Sequence, residues 1–115
     1  MRVLVADDDA SVRELVAEIL AATGAEVVSV ADGGEAVALA TASSFDLIVL
    51  DVDMPAVDGI EAARAIREIR PAATVVVMSG ERSHREAALR AGAGAFLEKP
   101  LDSAGLVALA CARRP

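Results

Sequence analysis

The sequence predicts an α/β fold: a doubly wound (βα)5 unit whose parallel sheet runs in strand order 2-1-3-4-5. Three observations predict it. Five short apolar runs, too short for helices and rich in β-branched residues, are separated by helical patterns. Each helical pattern opens on a capping signal. The third and fourth runs, "LIVL" and "VVVM", are apolar throughout, as in strands covered on both faces. Strands alternating with helices imply a parallel sheet sandwiched between helices. Right-handed crossovers leave few ways to wind it, and 2-1-3-4-5 suits five strands.

The first run is Val3–Ala6. Ser11 with Glu14 then reads as a capping box, followed by Val12, Leu15, Val16 and Ile19 on one face. After the second run, Val27–Val30, Asp32 and Glu35 repeat the box before Ala36, Val37, Leu39 and Ala40. The third run is Leu47–Leu50. Beyond it Asp58 can cap a helix carrying Ile60, Ala63, Ile66 and Ile69, with Pro71 past its end. Met54, Pro55 and Gly59 shape the loop between them. Val75–Met78 is followed by Ser83 and Glu86, which start a helix that Gly92 ends. Ala95–Leu97 is the last run. Asp102 starts the final helix, with Leu106, Val107 and Leu109 inward. Gly105 weakens that helix by about 1 kcal/mol relative to Ala.

A length of 115 residues suits one domain spanning 1–115 with a single core. That core must be aliphatic, because Phe45 and Phe96 are the only aromatics. The net charge of −7 argues against nucleic-acid binding and against adhesion to an anionic membrane. One cysteine, Cys111, allows no internal disulfide and fits a reducing compartment. No apolar run has the length of a membrane span or a signal peptide, so a soluble, cytoplasmic chain is expected.

Polar residues follow the apolar runs directly. Asp7 and Asp8 end the first, Asp51 the third, Ser79 the fourth and Lys99 the fifth. In a doubly wound sheet these ends open onto one crevice. Two unit charges about 4 Å apart repel by about 4 kcal/mol at an effective dielectric of 20. The acids must therefore take up protons or bind a cation. Oxygen ligands without nearby Cys or His suit a hard divalent ion such as Mg2+ rather than zinc. A carboxylate beside such an ion can attack a phosphoryl group, with Ser79 offering a hydroxyl and Lys99 a positive charge. Lys99 is the sole lysine among eleven basic side chains. A compact ammonium on a flexible stem reaches into a tight acidic pocket better than a guanidinium fork.

The stretches "VLVADDD", "DLIVLDVDMPAVDG", "VVVMSG" and "GAGAFLEKPL" occur in that order. Together they resemble the receiver domain of two-component response regulators, the CheY-like, flavodoxin-like fold, over essentially the whole chain. The resemblance implies that Asp51 accepts a phosphoryl group. It implies Asp8 as a direct ligand of Mg2+ (or Mn2+), Asp7 as its partner acting through water, and the Asp53 backbone carbonyl as a further ligand. Ser79 matches the hydroxyl that turns toward the phosphoryl group, and Phe96 the aromatic switch. Lys99 matches the family's lysine, with a cis bond to Pro100. Asp53 and Glu81 fall at positions that tune acyl-phosphate lifetime. The implied function is regulatory: the chain is no enzyme beyond its own phosphorylation and dephosphorylation. A sensor histidine kinase or phosphotransfer protein is the implied donor. The face of helix 4, strand 5 and helix 5 is the implied output surface for a partner or effector domain. That face leaves open a phosphorylation-dependent homodimer.

Other residues read more plainly. Asp9 is a surface acid near the first helix's dipole, and Arg64, Arg67 and Arg70 form a solvated face. Arg113 and Arg114 complement the end of the last helix. His84, at the start of helix 4, receives no role. Two other functions compete. "LDVDMP" is similar to the DxD motif of haloacid dehalogenase-type phosphatases, but there DxD lies on the first strand. A binding module that never takes phosphate usually lacks one of the acids or the lysine, and none is missing here.

Overall fold

The computed structural model describes residues 1–112. Arg113 and Arg114 lie outside the described residues. The elements are β1 (Arg2–Ala6), α1 (Ala10–Ala21), β2 (Glu26–Val30), α2 (Gly33–Ala42) and β3 (Leu47–Asp51). They continue with α3 (Gly59–Ile69), β4 (Thr74–Ser79), a 3-10 turn (Arg82–His84), α4 (Arg85–Arg90), β5 (Ala95–Glu98) and α5 (Ser103–Ala112). The five strands form one parallel sheet in the order β2-β1-β3-β4-β5. Each strand runs a residue or two beyond its apolar run, because ladder hydrogen bonds continue into the flanking polar residues.

Strand alternation splits the core in two. Leu4, Ala6, Ile48, Leu50, Val75 and Val77 pack with α2, α3 and α4. Val3, Val5, Leu47, Val49, Val76 and Met78 pack with α1 and α5 through Val16, Leu20, Leu106 and Ala110. The first layer is lined by Ala36, Ala40, Ala62, Ala63 and Ala88, all fully buried. These small side chains let helix backbones lie close to a sheet whose one aromatic, Phe96, stands on the edge strand β5.

Three helix faces differ from expectation. Leu15, Ile69 and Val107 are exposed rather than inward. Each helix lies over the sheet on a narrow strip, so an apolar residue at the strip's edge stays in water. Two caps differ as well. The Asp9 carboxylate, not Ser11, accepts the Ser11 and Val12 N–H groups at the start of α1. Ser83 makes no cap, because the chain enters α4 through the 3-10 turn. Asp32 and Asp58 do cap α2 and α3. Arg70 is not on a solvated face; its guanidinium donates to the carbonyls of Ala40 and Thr41.

Gly59 fixes how closely α3 approaches the end of β3. A Cβ there would lie 2.1 Å from the Asp51 carbonyl oxygen, a contact no side-chain rotation relieves. Gly59→Ala should therefore destabilise the chain by about 2 kcal/mol or more through backbone displacement. Gly105→Ala, which meets nothing within 4 Å, should stabilise it by about 1 kcal/mol. Urea denaturation of the two variants checks both signs. A Gly59→Ala midpoint equal to the parent's would show that the approach is not rigid.

Candidate functional site

The sheet order sets the carboxyl ends of β1, β3, β4 and β5 side by side. Three polar side chains are buried among the described residues, Asp7, Asp51 and Ser79, and each lies at one of those ends. Asp7 follows β1, with its N–H donated to the Val30 carbonyl. Its Oδ1 accepts the Asp9 N–H at 2.9 Å. The Arg13 guanidinium donates to its carbonyl at 2.8 Å. Asp51 is the last residue of β3, beside Met78.

Lys99 joins these acids. Its backbone N–H donates to the Ser79 carbonyl at 2.8 Å, which fixes where the side chain starts. Its ammonium lies 2.8 Å from Asp51 Oδ1 and 3.1 Å from Asp7 Oδ2. The peptide between Lys99 and Pro100 is cis. Burial works against the ammonium, but its hydrogen bonds to Asp51 and Asp7 prevail and hold its pKa above the ordinary lysine value. Burial raises the Asp51 pKa, and the negative charge of Asp7 raises it further, against the hydrogen bond from Lys99. One ammonium does not balance the acids around it.

Asp7, Asp8 and Asp51 each offer a carboxylate oxygen, all within 4.8 Å of one another. Asp7 and Asp51 are buried and Asp8 is exposed, so the group opens to solvent on one side. An all-oxygen donor set with unbalanced negative charge fits a hard divalent cation. The hollow at the opposite end of the sheet, lined by Phe45, Asp46, Arg70 and Ala73 among others, contains none of these acids.

The remaining candidates lie outside this cluster. Asp53 is exposed in the bend after β3. Phe96 is half-buried on β5, packed against the α2–α3–α4 core. It lines a surface hollow with Arg82, Arg85 and Glu98. Asp9 is the N-cap of α1, and Cys111 is exposed. His84 differs from expectation. It is not idle at the surface: its Nδ1 lies 2.7 Å from Ser79 Oγ, within hydrogen-bond distance. A lone histidine five residues past a serine carries no recognisable spacing, and only the 3-10 turn brings the two together. Arg13 was equally hidden, since its partner is a backbone carbonyl.

Among the described residues, no helix is long and apolar enough to cross a membrane. Residues 3–110 match the family model of the response regulator receiver domain. The transcriptional regulatory protein PrrA of Mycobacterium tuberculosis is 42% identical over 109 residues, covering 93% of this chain and 47% of PrrA. The chemotaxis protein CheY of Bacillus subtilis is 37% identical over 105 residues, covering 89% of this chain and 88% of CheY. The solved structure of the chemotaxis response regulator CheY4 of Vibrio cholerae superposes with a TM-score of 0.88 at 32% identity, covering 98% of both chains. The chain thus spans about half the length of PrrA but most of the chemotaxis proteins. With its five-stranded order and the family match across nearly its whole length, the chain belongs to the response regulator receiver domains, a regulatory family rather than a catalytic one.

Proposed function

We propose that this chain is a phosphoacceptor switch in which Asp51 takes a phosphoryl group from a phosphohistidine, supplied by a sensor kinase or a phosphotransfer protein. The observation that carries the reading is the placement of Lys99 between Asp51 and Asp7, beside three clustered carboxylates. Asp51 Oδ1 is held by the ammonium, which leaves Oδ2 as the nucleophile. That oxygen attacks phosphorus, the new O–P bond forms, and the P–N bond breaks with its electron pair leaving on the donor imidazole. Lys99 stays beside the carboxyl and meets the negative charge that the phosphoryl oxygens bring. Asp7, Asp8 and Asp51, with the Asp53 backbone carbonyl, are the residues that would hold Mg2+ or Mn2+. The bound ion supplies positive charge to the attacking and phosphoryl oxygens.

The acyl phosphate then acts as a covalent ligand that shifts a two-state population. Ser79 and Phe96 are the moving parts, and the face of α4, β5 and α5 is the surface read by an output domain or partner. Relatives such as PrrA are named as transcriptional regulators. A DNA-binding output outside the described residues is one fitting consumer of the signal, and a docking partner, as for a chemotaxis protein, is the other.

Incubation with a small acyl-phosphate donor and Mg2+, followed by intact mass measurement, tests the reading. One added phosphoryl group is expected, absent without the metal and absent in Asp51→Asn. Steady phosphate release from the donor, with no adduct, would point instead to a phosphatase. An unmodified protein and an intact donor would leave a module that signals without phosphate.

A second prediction follows from the site's charge. The folded Asp51 pKa lies above its ordinary value of 3.8, so the folded chain holds this proton to higher pH than the unfolded chain does. Stability from this group falls as pH rises from 3.8 through the raised value, and Asn avoids the loss. Without divalent cation, the melting temperature of Asp51→Asn relative to wild type should therefore climb across that interval. Adding Mg2+ should raise the wild-type melting temperature more than the variant's. Lys99 has the same sign in a higher window: its stabilisation is complete below 10.5 and is lost as pH rises through its elevated value. A melting difference between Asp51→Asn and wild type that is flat with pH would refute the imbalance.

A further inference from the structure

The Ser79 hydroxyl has one proton to donate. By strand alternation Ser79 continues the line of Val75 and Val77, which pack on the α2–α3–α4 side. Asp51 continues the line of Leu47 and Val49, on the α1–α5 side. The hydroxyl is thus committed to the turn between β4 and α4 rather than to the neighbouring carboxylate. There its oxygen accepts the Glu81 N–H at 3.0 Å and meets His84 Nδ1 at 2.7 Å. The other ring nitrogen, Nε2, lies 3.6 Å from Glu81 Oε2. A carboxylate facing Nε2 favours the tautomer with its proton there and leaves Nδ1 as the acceptor. In that tautomer Ser79 Oγ–H donates to His84 Nδ1.

We propose that His84 is a positioning residue that latches Ser79 in the resting state. The hydroxyl cannot serve both Nδ1 and a phosphoryl oxygen on Asp51 with a single proton. Delivery of Ser79 to the phosphoryl group breaks the Ser79–His84 bond and releases the Arg82–His84 turn that leads into α4. The latch rests on the phosphoacceptor reading of Asp51. It gives the 3-10 turn a direct physical link to the site. A serine, a histidine and a glutamate in line also describe a hydrolase triad. Here Glu81 is exposed and lies 3.6 Å from Nε2, beyond the hydrogen bond by which a triad's buried carboxylate holds its histidine, so the latch is the reading the geometry favours.

The chain contains one histidine, so every imidazole signal in a 15N NMR spectrum belongs to His84. Spectra of the full chain at mildly alkaline pH should show a hydrogen-bonded Nδ1 in the resting protein. That signature should vanish in Ser79→Ala. It should also vanish in wild type on adding Mg2+ and beryllofluoride, a phosphoryl mimic whose binding is read separately by 19F NMR. Removing the latch should favour the bound state. His84→Ala should bind the mimic about three- to tenfold more tightly, the worth of one net hydrogen bond. His84→Asn, whose amide group stands near the place of Nδ1, should return toward wild-type affinity. A purely structural role for His84 predicts no gain in affinity and no rescue by Asn. An Nδ1 signal insensitive to Ser79→Ala, or unchanged while 19F signals report bound mimic, overturns the latch. So does a His84→Ala affinity equal to wild type. No bound mimic in wild type, with no phosphoryl adduct by mass, overturns the phosphoacceptor reading, and the latch falls with it. The resting Ser79→Ala comparison separates that failure from failure of the hydrogen bond itself.

Discussion

An excess of buried negative charge at one end of the sheet governs this molecule. Two buried carboxylates and one exposed one converge there, and a single ammonium reaches the buried pair. Desolvation forbids leaving such a group uncompensated. Lys99 answers part of the demand and the ordinary fate of the rest is protonation or cation binding. The same imbalance makes the site receptive: a place that needs positive charge will recruit a metal ion, and the metal makes the arrival of a dianionic phosphoryl group tolerable.

Topology turns this chemistry into one place. Asp7 and Lys99 are 92 residues apart in sequence and 3.1 Å apart in space. Only the 2-1-3-4-5 winding lays the ends of β1, β3, β4 and β5 next to one another. Close approach completes the arrangement. Gly59 lets α3 press against the Asp51 carbonyl, and the alanines of α2, α3 and α4 let helices settle on an aliphatic sheet centre.

Much of this was legible in the residues because period and position carry it. Runs such as "LIVL" mark doubly covered strands, and the polar residues after the first, third, fourth and fifth runs mark the crevice. Asp7, Asp51 and Ser79 directly follow their runs and Lys99 stands two residues past the last, so all four could be placed at one end of the sheet. The illegible parts depend on tertiary geometry. Leu15, Ile69 and Val107 match a helical period yet lie at the margins of their strips. Ser11 and Asp9 both offer a capping oxygen, and only the actual turn before α1 decides between them. His84 is silent in sequence because neither its spacing nor its neighbours resemble a site, and a 3-10 turn places its ring on Ser79.

The lysine also has a mechanical side. β5 is an edge strand of four residues, half-buried and paired only with β4. Such an edge is where a sheet frays first, by local opening rather than global unfolding. Any opening that carries Lys99 away strips Asp7 and Asp51 of their counter-charge, so the acids resist the departure of the strand. The charge pair thus staples the sheet's weakest margin to its centre, and whatever occupies the acidic pocket also sets how readily that margin breathes.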